Sequence, residues 1–271
     1  MSKALRALGI AITVIWSALP VAFAVLASLK QNRDIFTWPP HLIFHPTFIH
    51  YIDLFKTWPE FAGTLLNSIA VTIGATALST GCSLLAAFVY SRCKGSLLAL
   101  SAHFMVAVRL LPPIIVTLPL FPLVNWLGLS DTWTVLILLY AAFFVSLGTM
   151  ILKATIDGIP DELDSAAMID GASEWQVLWR VIAPLAAQGL IAASVFVFIF
   201  AWNEYLFAFV FTTARAKTAP LILSEMMSSL TGVDWGVLFA GVTIQLVPVL
   251  VFVWLVQRWL VSGLTAGALK G

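Results

Sequence analysis

Long apolar runs separated by short polar segments dominate the chain. Six stretches each hold about 20 mainly apolar residues, the length that carries a helix across roughly 30 Å of hydrocarbon. They are Ala7–Leu29, Leu65–Tyr90, Leu97–Leu120, Trp133–Leu152, Gly189–Phe211 and Val237–Val256. Barrel strands run about 10 residues with alternating polarity, and these runs are too long and too continuous for that. A helix satisfies its own backbone hydrogen bonds inside lipid. The pattern therefore predicts an all-α integral membrane protein, a single transmembrane domain over residues 1–271. It has six transmembrane helices, a polar loop at 153–188 between spans four and five, and a tail at 257–271.

Composition agrees. Of 271 residues, 61% are hydrophobic and 10% are charged, and the mean hydropathy is +1.01. Soluble domains carry about 25% charged residues, so this chain cannot cover itself with a solvated surface. That excludes a soluble enzyme and a disordered tail, and the net charge of +1 gives no electrostatic grip on nucleic acid. Cys82 and Cys93 are too few for a disulfide scaffold and read as small packing residues.

The first span follows Lys3 and Arg6, and Ala22-Phe23-Ala24 formally matches a cleavage site. Its apolar run far exceeds the roughly 7–15 residues of a signal-peptide core, so a retained helix is expected. Six spans put both termini on one side. With the termini cytoplasmic, the inner segments carry Lys3, Arg6, Arg92, Lys94, Lys153, Arg180, Arg258 and Lys270. The outer loops carry Lys30, Arg33, Lys56, Arg215 and Lys217. This is a positive-inside bias, clearest at Arg92 and Lys94.

The outer loop from Lys30 to Gly63 holds His41, His45 and His50. Their irregular spacing and the lack of Cys or acidic partners fail the pattern of a metal set, so the segment reads as an interfacial loop with its aromatics at headgroup level. Arg109 and Glu204 fall inside expected spans, where a charge costs about 2.5–3.5 kcal/mol and usually faces a bundle interior or a wet path. Pro112 and Pro113 predict a kink or break just after Arg109. Asn203 and Glu204 form a polar knot in an aromatic span. They either hold helices together or, with Arg109, line a translocation path.

The 153–188 loop carries six of the thirteen acidic residues: Asp157, Asp161, Glu162, Asp164, Asp170 and Glu174. Acids after Pro160 suit a helix start at the positive end of its dipole, and Leu163, Ala166 and Ala167 give that helix a shallow apolar face. Gly171 permits a reversal. Ser173 and Gln176 match a capping box, opening a second helix with Trp175, Leu178, Trp179 and Ile182 before Pro184. The acidic first half is wrong for a helix lying on anionic lipid and fits a docking surface for a protein.

Ser165-Ala166-Ala167-Met168-Ile169-Asp170-Gly171-Ala172, with Pro184 further on, resembles the EAA loop of ABC importer permeases. Ser165 stands where that motif has Glu, and Ala183 where it has the Leu before Pro. The run Gln257-Arg258-Trp259 to Lys270-Gly271, together with Trp202-Asn203-Glu204 and Leu66-Asn67-Ser68, looks like the carbohydrate-importer branch related to the maltose permease pair. The resemblance implies a permease subunit in a bacterial cytoplasmic (inner) membrane, multi-pass with both termini cytoplasmic. It implies a coupling helix in which Ser165, Ala166, Ala167, Asp170, Gly171, Ala172 and Pro184 meet an ATPase subunit. Glu162 and Asp164 then stand as stand-ins for the motif Glu. The tail residues Gly263, Thr265, Ala266 and Gly267 are implied to reach the ATPase dimer. The implied partners are a second permease, two ATPase subunits forming a homodimer, an extracytoplasmic solute-binding protein and membrane lipid.

No Gly-x-x-x-x-Gly-Lys-Ser/Thr occurs in the chain, so it has no P-loop for ATP. No catalytic Ser/His/Asp or metal constellation is present either. The chain is expected to bind no cofactor itself, ATP and Mg being held by the partner ATPases, and not to be an enzyme alone. The solute expected by resemblance is a sugar or sugar-like molecule. The alternative is a secondary transporter or channel working alone, which favours more intramembrane ionisable residues than Arg109 and Glu204, and a repeat between halves.

Overall fold

A computed structural model describes residues 3–41, 43–229 and 232–268, and every regular element among them is a helix. In chain order these are α1 (Lys3–Ser28), α2 (Asn32–Ile35), α3 (Ile49–Thr57), α4 (Phe61–Arg92), α5 (Ser96–Leu110), α6 (Pro113–Trp126) and α7 (Trp133–Ile156). Then come α8 (Glu162–Ile169), α9 (Glu174–Val177), a π-helical turn (Leu178–Ile182), α10 (Ala183–Leu185), α11 (Ala187–Trp202), α12 (Leu206–Phe211), α13 (Ala219–Met227) and α14 (Trp235–Ala268).

Four helices, α1, α4, α7 and α14 as far as Arg258, are long and apolar enough to cross a membrane, or up to six spans exist if each bent pair counts as one. The expected third span is not one helix. Its halves α5 and α6 meet at 98°, because Pro112 lacks an N–H and a Pro is disfavoured after α-helical backbone. Pro113 then opens α6 at a position where the missing donor costs nothing. The expected fifth span, Gly189–Phe211, also divides: α11 stops at Trp202, and α12 begins only at Leu206. Its N-terminal partner is the Glu174–Leu185 segment, at 79°.

One compact unit comprises Met1–Leu65 and Ala219–Pro248. Its core joins Leu54, Phe61, Ile222, Met226, Val237, Leu238 and Ala240. The segment expected as an interfacial loop holds α3, whose buried residues are His50 and Leu54. The His50 ring shares a 2.7 Å hydrogen bond between Nε2 and the Lys30 carbonyl. Asn32 Nδ2 donates to Asp234 Oδ1 at 3.0 Å, and Asn32 Oδ1 accepts from the Gly236 N–H at 2.9 Å.

The second unit comprises Leu66–Thr218 and Val249–Gly271. Helices α7 and α11 lie side by side in it, closely enough that a Cβ at Gly189 would collide with the Thr155 side chain. Small residues permit such approach where dispersion, not water exclusion, drives helix association. Leu84 and Ala87 of α4 and Leu152 and Ile156 of α7 bury together with Val177, Leu178 and Ile182. The 153–188 loop is thus fastened to the spans through its second half. Cys82 and Cys93 are free and exposed rather than packed inside; Cys82 sits on the outer face of α4, one residue from buried Ser83.

Another fastening lies in the segment between α12 and α13. The Asp131 carboxylate accepts from the backbone N–H groups of Thr213, Ala214, Arg215 and Ala216 at 2.9–3.2 Å. Asn67 Nδ2 donates to the Arg215 and Lys217 carbonyls, and Trp133 Nε1 donates to Asn67 Oδ1. Burial pushes the Asp131 pKa up, but the four backbone donors outweigh it and hold the carboxyl well below the usual carboxylate range.

Candidate functional site

The helix–turn–helix predicted between spans four and five is present, and its turn has a definite physical cause. Helix α8 ends at Ile169 with Asp170 as its C-cap, and Gly171 follows with φ +90°. The Gly171 N–H donates to the Met168 carbonyl at 3.0 Å, and the Ala172 N–H to the Ala167 carbonyl at 2.9 Å. This pair of reverse bonds is the Schellman closure, which needs a left-handed residue at the position Gly171 fills. Ala167 and Ala172 both pack on the buried cluster below, supplying the apolar contact that accompanies this motif. The capping box is complete: Gln176 N–H donates to Ser173 Oγ at 3.4 Å, and Ser173 N–H to Gln176 Oε1 at 2.9 Å.

The second helix does not present its four large residues together. Leu178 and Ile182 are buried, while Trp175 and Trp179 are exposed and meet edge to face at 5.6 Å. A π-helical turn over Leu178–Ile182 leads to Pro184.

The exposed surface of α8 mixes small and apolar residues with the acids Asp161, Glu162 and Asp170. Ser165, Ala166 and Asp170 are exposed, Met168 is 46% and Ile169 87% exposed. Ser165 is exposed, and its Oγ donates to the Asp161 carbonyl at 3.3 Å. Of the loop's six acidic residues only Asp164 is buried, and two of the exposed five, Asp157 and Asp161, are paired. Asp157 pairs with Lys153 at 2.6 Å. Partial burial raises the Asp157 pKa, but hydrogen bonds from Lys153 and Ser91 and the charges of Lys153 and Arg92 lower it by more.

Asp161 and Asp164 both meet Arg92, the last residue of α4, at 2.8 and 2.6 Å. Asp164 is buried, so it cannot stand in for the motif Glu on a docking surface, whereas Glu162 is exposed. Arg92 was legible only as one of the basic residues of a short inner loop. Nothing in its local sequence marks it as the partner of α8.

The other sequence-predicted residues lie elsewhere in the unit. Arg109 is in the last turn of α5, where a cation complements the helix dipole, just before the Pro112 break. Asn203 is exposed and donates to the Ile199 carbonyl at 2.8 Å. Both Glu204 carboxylate oxygens accept from the Phe207 N–H, at 3.0 and 3.1 Å. Glu204 thereby satisfies an orphan donor at the start of α12, which explains how the chain tolerates a break there without Gly or Pro. Gly263, Thr265, Ala266 and Gly267 fall in the final turns of α14, and their side chains lie outside the described residues.

A family described as binding-protein-dependent transport system inner membrane component matches residues 79–265, a stretch that includes α8 and its turn. The sulfoquinovosyl glycerol transport system permease protein of Agrobacterium fabrum is 33% identical over 274 residues, covering 99% of this chain and 94% of that protein. The trehalose transport system permease protein of Mycobacterium tuberculosis is 35% identical over 262 residues, covering 94% and 93%. Among solved structures, a chain of a bacterial ABC transporter involved in import of the acidic polysaccharide alginate matches with a TM-score of 0.76. It is 20% identical and covers 95% of this chain and 98% of that one, a likeness of fold.

Proposed function

Because the chain belongs to the family of binding-protein-dependent transport system inner membrane components, we propose that it is the permease subunit of an ATP-driven importer for a sugar or sugar-like solute. The observation that carries this reading furthest is the form of α8: an exposed face of small, apolar and acidic residues, closed by the Gly171 turn and fastened from behind. The partner is a pair of ATPase subunits that hold ATP and Mg, since this chain carries no P-loop. A second permease completes the path, and an extracytoplasmic binding protein delivers solute to it. The chain sits in a cytoplasmic membrane with α8 and both termini on the inner side. In this reading Ala166, Ala167, Asp170 and Gly171 receive the ATPase stroke, which rocks the bundle between inward-open and outward-open forms as rigid bodies. The relatives that carry trehalose or a sulfoquinovosyl glycoside in their names support a saccharide or glycoside as solute.

The test is co-purification of the tagged chain, expressed with its genomic neighbours, followed by uptake in liposomes. Recovery with a second permease and an ATPase pair, and uptake that requires ATP and the binding protein, is the expected result. Recovery of the chain alone, active for uptake without ATP, overturns the reading in favour of a secondary transporter.

A further inference from the structure

The Arg92 guanidinium is bonded to three elements at once. Nε donates to Asp164 Oδ2 at 2.6 Å and Nη1 lies 2.8 Å from Asp161 Oδ1. Nη2 donates to the Ile159 carbonyl at 3.0 Å and Nη1 to the Ile156 carbonyl at 3.4 Å. One side chain therefore joins the end of α4, the Ile156 carbonyl at the close of α7 (which also accepts from the Ile159 N–H at 2.9 Å), the Ile159 carbonyl just beyond it, and the first turn of α8. The Arg92 and Asp164 side chains are 12% and 8% exposed, whereas Asp161 is 81% exposed. The inner contact is a shielded charge pair and the outer one is a solvated brace.

Helix α8 needs this link because it has little else. Ala167 is its only partly buried apolar anchor on the cluster beneath, and Ser165, Ala166, Met168, Ile169 and Leu163 are all exposed. A force on that face would tilt a helix of eight residues about its own axis unless something stiff opposed it. A planar guanidinium with fixed donor directions is stiff in a way that an ammonium on a flexible stem is not.

We propose that Arg92 is a positioning residue that transmits displacement of α8 to α4 and α7, so that an ATPase stroke moves the spans instead of rocking α8 in place. This rests on the reading of α8 as the ATPase-docking helix. It assigns Asp164 to the internal strut and leaves recognition of the ATPase to the exposed residues of α8.

The experiment uses the complete importer in nanodiscs with its binding protein. Arg92→Gln, Arg92→Lys and Asp164→Asn are compared with the unaltered complex for assembly, ATP hydrolysis and solute imported per ATP consumed. The expected result is that assembled complexes keep hydrolysing ATP while solute per ATP falls about tenfold in Arg92→Gln, the scale of a typical coupling energy between sites. Arg92→Lys, which keeps the charge but loses the fork, falls between. A purely structural role would lower the amount of assembled complex and leave solute per ATP unchanged; that outcome, or failure of all three variants to assemble, overturns the proposal. Failure of the unaltered chain to recover an ATPase would instead overturn the underlying reading.

Discussion

The Ala172 N–H reaches back across Gly171 to the Ala167 carbonyl at 2.9 Å, and this bond sets where α8 ends. It forms because Gly171 holds φ +90°, a conformation that costs an L-residue with a Cβ roughly 1–2 kcal/mol.

Gly171→Val is therefore expected to break the closure while leaving the spans intact, since a Cβ at this position meets no neighbouring atom and only backbone strain opposes it. Uptake should fall by an order of magnitude or so at unchanged membrane abundance, the equivalent of ~1–2 kcal/mol. Gly171→Asn, a residue that tolerates the left-handed region, should retain most of it. Wild-type uptake by the Val variant at normal abundance would remove Gly171 from the coupling machinery.

Asp131 offers a prediction in pH. Its carboxylate is held low by four backbone donors, so the folded state binds that proton more weakly than the unfolded chain does. The stabilisation is fully present above the ordinary carboxylate pKa of 3.8 and is lost as pH falls through the depressed folded value. Asp131→Asn removes the charge but keeps a residue suited to φ 57°. It should lower stability by about 2 kcal/mol at pH 7, in the range of hydrogen bonds to charged groups. Thermal unfolding of the two proteins should differ by a constant amount from pH 5 to 8, begin to converge below pH 4 and converge fully only near the depressed folded value. A difference that grows on acidification would contradict this origin.

The parts of this site that were legible in the sequence are those set by neighbours along the chain. Asp170-Gly171 names its turn and Ser173 with Gln176 names its cap, because both use bonds within five residues. Pro112 and Pro113 name their break for the same reason. Arg92 and Asp164 lie 72 residues apart, and their pairing could not be read from the sequence, since pairing through space leaves no local signature. The division at Asn203–Tyr205 was hidden in a similar way. No Gly or Pro marks it, and what stabilises it is a carboxylate that folds back on the Phe207 N–H. The π-helical turn at Leu178–Ile182 was equally invisible, because it conserves helical periodicity closely enough to bury Leu178 and Ile182 as an α-helix would.

The Glu204 contact separates the two roles left open by its sequence. Glu204→Gln keeps one acceptor for the Phe207 N–H and should assemble normally. Glu204→Ala leaves that donor without its cap and should lower stability by about 1 kcal/mol, the usual cost of a lost cap. Uptake per assembled complex is the deciding quantity. If it stays constant in both variants, Glu204 is a structural cap; if Glu204→Gln assembles fully yet changes uptake, the side chain meets solute as well.

The close approach of α7 and α11 is governed by Gly189 and Thr155. A Cβ at Gly189 would lie 2.8 Å from Thr155 Cβ and 2.9 Å from its Cγ2, distances at which one helix must move. Thr155 is itself committed, donating from Oγ1 to the Ile151 carbonyl at 3.1 Å, so it cannot simply rotate away without losing that bond. Gly189→Ala should therefore destabilise by about 1–3 kcal/mol, the cost of overpacking, although Ala is the better helix former. Thr155→Gly on its own should cost only about 0.3–0.5 kcal/mol from helix propensity, since Thr is itself a poor helix former. The double variant moves the small residue from one helix to the other and restores the spacing, so its loss should be smaller than the sum of the two single losses. Thermal unfolding of the four proteins closes the cycle, and strictly additive losses would mean that this contact does not set the distance between the helices.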